Sequence, residues 1–246
     1  MSTSPFSRQA IFIGAACLAL TALASLGAVE WYGAHQEDSP KNFVGDNRVP
    51  EAFPQGPPWL YGHADARFTL TLYADLECPF CKTYFPILKS WVDNHPDMLL
   101  EWSHLPLSIH EPAATELAVL AECAGEAGGQ SAFWDATTWI YRHTRSDGRG
   151  LPPGVSYPGV TAAINVCTSG DQPKSIVSAQ MQEAAAKNID ATPTVMLHDN
   201  ETGKSLLLPG PVDGDTLLSA LDLIAAGNMA MPGQHEMPAD LVGKPR

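Results

Sequence analysis

Two cysteines separated by two residues, Cys78-Pro79-Phe80-Cys81, stand between an alternating apolar run and a helical pattern. In the run, Phe68, Leu70, Leu72 and Ala74 alternate with Thr69, Thr71 and Tyr73, which predicts a central strand over 67–74. Pro79 suits the first position of a helix, because its missing N–H would have no partner there anyway. The spacing assigns Phe80, Tyr84, Ile87, Leu88 and Trp91 to one face of that helix. A thiol at a helix N-terminus meets free backbone N–H groups and the positive end of the dipole, so thiolate is favoured over thiol. Cys81 then lies within one turn of Cys78, as a reversible disulfide requires: Cys78 exchanges and Cys81 resolves the mixed intermediate. The same spacing occurs in structural disulfides and in zinc ribbons. Zinc needs a second ligand pair, and Cys123 and Cys167 form no C-x-x-C, nor do the histidines form H-x-x-H. No metal and no cofactor is expected.

The compartment decides how the other cysteines are read. Ala10 to Val29 carries no charge, and only Thr21 and Ser25 interrupt its apolar character. Twenty residues at about 1.5 Å each span about 30 Å, a bilayer's hydrocarbon core. Arg8 precedes the run, whereas Glu30, Glu37 and Asp38 follow it. Positive-inside logic keeps residues 1–9 in the cytoplasm and sends the rest across the membrane. The run is either an uncleaved anchor or a signal peptide, with only fair cleavage sites near Leu26-Gly27-Ala28. Cys17 within it is read as a small apolar residue of a membrane helix. Beyond it lie Cys78, Cys81, Cys123 and Cys167, an even number in an oxidising compartment, which argues for disulfides.

Residues 30–58 shift to Pro, Gly, Asn and charge and read as a linker; residues 59–227 read as one domain; residues 228–246 read as a flexible tail. After the C-x-x-C helix come a short strand at 98–102, three helical stretches within about 108–188, strands at 194–198 and 205–208, and a last helix capped near Asp213. One α/β sheet with a helical insertion explains this order. The histidines are scattered; His104 and His110 are read as structural, and Trp91, Trp102, Trp134 and Trp139 as core. Asp75 and Glu77, at the strand's end, are read as solvated charges. The net charge of −13 repels phosphate backbones, which excludes nucleic-acid partners.

The segments Gly62-His63-Ala64-Asp65-Ala66, Ala74-Asp75-Leu76-Glu77-Cys78-Pro79-Phe80-Cys81, His104-Leu105-Pro106-Leu107 with His110, Ala121-Glu122-Cys123-Ala124, Phe133-Trp134 and Ala191-Thr192-Pro193-Thr194 occur in an informative order. Together they resemble the DsbA-like thiol–disulfide oxidoreductases of the thioredoxin superfamily, over about Trp59 to Ala226. The resemblance implies a thioredoxin fold with a helical insertion, and a cis Thr192–Pro193 bond facing the disulfide. Physically, a Pro at the start of a core strand removes a ladder hydrogen bond. A cis turn there would leave the Thr192 backbone free to pair with an extended substrate chain. Cys123 and Cys167 are expected to form a second, structural disulfide, as in some relatives; two buried free thiols are the alternative.

The chain departs from the pattern twice. Where many relatives place a buried carboxylate, six residues before the first cysteine, this chain has Leu72. Between the cysteines it has Pro-Phe in place of Pro-His, and Phe80 offers the Cys78 thiolate neither hydrogen bond nor charge. Cys78 is therefore expected to titrate above the value of about 3.5 found in DsbA, and the couple to be less oxidising than about −120 mV. The implied activity is exchange of the Cys78–Cys81 disulfide with unfolded or reduced exported proteins outside the cytoplasm, with a membrane quinone reductase as the partner of an oxidase. A reductase or isomerase, and a noncatalytic membrane-tethered binding module, are the alternatives. A monomer is expected.

Overall fold

The computed structural model of the chain describes residues 53–226, so the apolar run at 10–29 and the tail at 228–246 lie outside the described residues. Five strands form one sheet: β1 (Trp59–Gly62), β2 (Phe68–Ala74), β3 (Met98–His104), β4 (Thr194–Asp199) and β5 (Ser205–Pro209), in the order β1-β3-β2-β4-β5. β2 lies at the centre, parallel to β3 and antiparallel to β4. Its alternation buries both faces. Leu70, Leu72 and Ala74 pack with residues of α1 (Pro79–Asp93) and α5 (Gly214–Ala225), whereas Tyr73 belongs to a cluster with Ala184 of α4 (Gln172–Ala186).

Between β3 and β4 the chain makes a 3-10 turn (Ser108–His110), then α2 (Ala113–His143), α3 (Ala162–Thr168) and α4. The two helices expected from Leu117 and from Phe133 run together as α2, broken at Gly129, where φ of 75° is open to glycine at little cost. A disulfide joins Cys123 of α2 to Cys167 of α3, with Cα atoms 5.6 Å apart. Two elements were not expected, β1 and α3, at four and seven residues too short to show a period.

Two expectations need correction. Phe80 and Ile87 stand in solvent at 65% and 60% exposure; the face that α1 buries is Cys81, Tyr84, Phe85, Leu88 and Val92. Two apolar stripes compete on this helix, and the sheet takes the one that places Phe85 edge-on to Trp102, with ring centres 6.0 Å apart. Trp102 and Trp134 are buried, but Trp91 and Trp139 are only half-buried, each stacked on a histidine one turn later. The last part of the segment read as linker is held to α2: Gln130 Nε2 donates to the carbonyls of Pro54, Gly56 and Pro58.

Candidate active site

β2 delivers the chain to a turn at 75–78, and α1 starts there with Cys78 as its N-cap and Pro79 as its first residue. No side-chain oxygen caps this helix. The amides of Phe80 and Cys81 are turned to the Cys78 sulfur instead, as is the Cys81 thiol. Hydrogen bonding from Cys81, joined by Thr192 and those amides, outweighs burial and lowers the Cys78 thiol from 9.0 to about 6. Cys81 shows the opposite: burial, reinforced by the neighbouring Cys78, pushes its thiol far up. Neither cysteine is in a disulfide in this structure.

The loop before β4 closes the site. Thr192–Pro193 is a cis peptide, and the Cys78 thiol donates to the Thr192 carbonyl at 3.4 Å. The Thr192 hydroxyl is buried without a hydrogen-bond partner, and Pro193 is buried. So Cys78, Cys81, Thr192 and Pro193 come together, and Pro79 and Phe80 form an exposed lip above them. Under this cover Cys78 keeps only 3% of its surface. Cys123 and Cys167 lie apart from this group, in their own disulfide between α2 and α3.

Asp75 and Glu77, read from sequence as solvated, are among the most buried polar residues, at 1% and 0% exposure. Asp75 accepts from the Glu77 amide at 2.7 Å, the Leu107 amide at 2.9 Å and His110 Nδ1 at 2.6 Å. Glu77 accepts from the Thr144 hydroxyl and from the amides of Gly148 at 2.9 Å and Gly150 at 3.1 Å. Both glycines have positive φ, 78° and 69°, which lets one short loop aim two N–H groups at one carboxylate. A buried carboxylate is tolerable only when so satisfied. Thus the turn that carries Cys78 is fastened on one side to the 3-10 turn and on the other to the 144–150 loop. The one sequence hint was the Gly148–Gly150 pair; the partners themselves are 30 to more than 70 residues away. His110 is structural in this sense, as is His104, which accepts from Trp102 Nε1 at 3.0 Å and stands 3.2 Å from buried Glu122.

A groove of about 980 Å³ between β1, α1 and α2 is lined by Tyr61, Lys89 and Trp134 and reaches Tyr141, but neither cysteine opens into it. Among the described residues no group of three His, Cys, Asp or Glu side chains is placed to hold a metal, and no helix is long and apolar enough to cross a membrane.

Known proteins share this fold. The family described as Thioredoxin matches residues 55–210. The crystal structure of Pseudomonas aeruginosa DsbA2 is 44% identical and superposes with a TM-score of 0.67, covering 73% of this chain and all of that one. Wolbachia pipientis α-DsbA1, 19% identical with a TM-score of 0.53 over 70% of this chain and 92% of that one, shares the fold. A Na(+)/H(+) antiporter NhaA 1 of Mycolicibacterium gilvum is 29% identical over 171 residues, 65% of this chain but only 25% of that protein, so the chain spans about a quarter of the curated relative's length. The chain belongs to the DsbA-like thiol–disulfide oxidoreductases of the thioredoxin superfamily.

Proposed function

We propose that the protein works outside the cytoplasm as an oxidase, passing a Cys78–Cys81 disulfide to reduced exported proteins. The observation that carries this reading is the Cys78 sulfur at the mouth of α1, 3.4 Å from the Thr192 carbonyl and favoured as thiolate from about pH 6. A client thiolate attacks Cys78, the pair opens, and Cys81 leaves. A second client thiolate then attacks the mixed disulfide and releases Cys78 as thiolate. A stabilised Cys78 thiolate makes the reduced protein the favoured product, which is what gives an oxidase its drive. Client chains would lie extended along Thr192, whose N–H is paired with no backbone carbonyl among the described residues, beneath the exposed Phe80 ring. A quinone-linked membrane partner would take the electrons away, and the apolar run at 10–29 would hold the protein at the membrane or export it.

The thiol at about 6 lies between the values of about 7 for thioredoxin and about 3.5 for DsbA, so the couple should fall between about −270 and −120 mV. Equilibration with glutathione measures it, and a potential at or above about −120 mV overturns the part assigned to Phe80. Oxidative refolding of a reduced substrate and reduction of insulin separate the directions. The oxidase reading expects the first to be the faster; insulin reduction alone would make the protein a reductase, and silence in both assays a binding module.

A further inference from the structure

Residues 75–78 deliver Cys78 to α1, and the conformation of that turn is set from elsewhere in the chain. The Cys78 amide donates to the Asp75 carbonyl at 3.1 Å, which closes a β-turn. Inside it the Glu77 amide donates to Asp75 Oδ1 at 2.7 Å, an Asx-turn. The orientation of one carboxylate therefore governs the path of the backbone into Cys78. That orientation is fixed by the 105–110 segment: Asp75 Oδ2 accepts from the Leu107 amide at 2.9 Å and stands 2.6 Å from His110 Nδ1. The segment is itself held, with the Leu105 amide on the Ala74 carbonyl at 2.9 Å and the His110 amide on the Leu107 carbonyl at 2.8 Å.

The Asp75 side chain has no solvent exposure and that of His110 keeps 11%. Both Asp75 oxygens already face amide donors, so the carboxylate accepts at this contact too, and His110 Nδ1 carries the hydrogen. A charge-assisted bond of this length is among the strong ones, and burial spares it from screening. We propose that His110 is a positioning residue for Cys78: by donating Nδ1–H to Asp75 it holds the 75–78 turn in the conformation that presents the sulfur at the N-terminus of α1. It acts through Asp75 and not on the reacting atoms. The inference rests on the oxidoreductase reading, because the place of the sulfur matters only if that sulfur exchanges. As N-cap of α1, with its sulfur 3.4 Å from the Thr192 carbonyl, Cys78 depends on its own backbone for its place, since no side chain caps the helix. Without the His110 bond the turn gains freedom, and Cys78 spends time away from the helix end that favours thiolate.

His110→Ala removes the donor, and His110→Asn returns an N–H close to the position of Nδ1. The reduced full-length proteins are alkylated with iodoacetamide from about pH 4 to about pH 10, and the Cys78 adduct is counted by mass spectrometry. In the wild type the midpoint should lie near 6. His110→Ala should raise it by about one pH unit, about tenfold less thiolate at pH 5, the size of one hydrogen bond to a charged group. His110→Asn should bring it back to the wild-type value. A residue that only stabilised the fold would lower the urea midpoint and leave the alkylation midpoint in place. An unmoved alkylation midpoint in His110→Ala, or a His110→Asn shifted as far as His110→Ala, overturns the role of His110. Should His110→Ala not fold, Leu107→Pro decides: it removes the neighbouring N–H to Asp75 Oδ2 at a residue whose φ of −87° is close to proline's. That variant should raise the midpoint as well, and an unmoved midpoint overturns the proposal. A wild-type Cys78 that alkylates only near pH 9 overturns the oxidoreductase reading, and this inference with it; a wild type near 6 with unmoved variants overturns this inference alone.

Discussion

The two cysteine pairs use the same atoms and do different things. Cys123 and Cys167, 44 residues apart, join α2 to α3, and their bond closes a loop within the helical insertion. Cys78 and Cys81 close almost no loop, and their pairing constrains little chain entropy. What distinguishes them is surroundings. The first pair is fixed by two helices; the second lies where backbone amides and a neighbouring thiol favour one sulfur as an anion, while burial keeps the other protonated. A disulfide is a brace when its reduction would release a long loop, and a reagent when its reduction yields a stabilised thiolate.

This contrast is broken most directly by exchanging roles. Cys78→Ser should reduce insulin reduction and oxidative refolding to the uncatalysed background, whereas Cys123→Ser with Cys167→Ser should retain the wild-type rates. If the second variant lost the chemistry as fully as the first, the brace would be part of the reagent. For stability the order inverts. Removing the brace should cost about 3–4 kcal/mol in urea unfolding by chain entropy alone, whereas Cys78→Ser should cost far less.

The loop-closing pair and the reactive pair were not equally legible. Strand β2, the C-x-x-C and the Ala191-Thr192-Pro193-Thr194 segment are local signals: a period of two, a spacing of three, a proline before a strand. The collar around them is not local. Asp75 and Glu77 carry nothing in their own neighbourhood to say that they are buried, because what makes burial tolerable is Leu107, His110, Thr144, Gly148 and Gly150 arriving from other elements. Tyr141 is hidden for the same reason: on α2 it reads as one more apolar-face residue, and only the fold brings its hydroxyl to the Asp75 carbonyl in the turn before Cys78. Phe80 misled in the other direction, since an aromatic at helical spacing looks like core until the fold leaves it 65% exposed.

Phe80 also sharpens the comparison. Phe80→His places a donor, and at lower pH a positive charge, beside the Cys78 sulfur. The Cys78 thiol should fall below about 6 and the potential should rise, each 30 mV corresponding to about 1.4 kcal/mol. Iodoacetamide alkylation against pH reads the first and glutathione equilibration the second. The unfolding midpoint of the oxidised protein, in which Cys78 carries no thiol, should not move. If His leaves both the pH midpoint and the potential where Phe has them, the dipeptide does not tune this site, and the amides and Thr192 alone set the thiolate.

The smallest expected effect isolates the electrostatics. In the reduced protein the native Cys78 thiol is depressed from 9.0 to about 6, so between those values the unfolded chain binds more protons there than the native one, and stability rises with pH. This contribution is complete above about 9 and is lost as pH falls through about 6. Cys81 has the opposite sign: raised in the fold, it stays protonated when the unfolded chain would release its proton, so above about pH 9 it removes stability. The oxidised protein has neither group, and every carboxylate and histidine common to the two forms cancels in their difference. The urea midpoint of the reduced form minus that of the oxidised form should therefore climb from pH 5 to about 8.5 and turn down at higher pH. A difference that stays flat across that range means the fold does not favour the Cys78 thiolate, and the reactive pair then differs from the brace only in the length of the loop it closes.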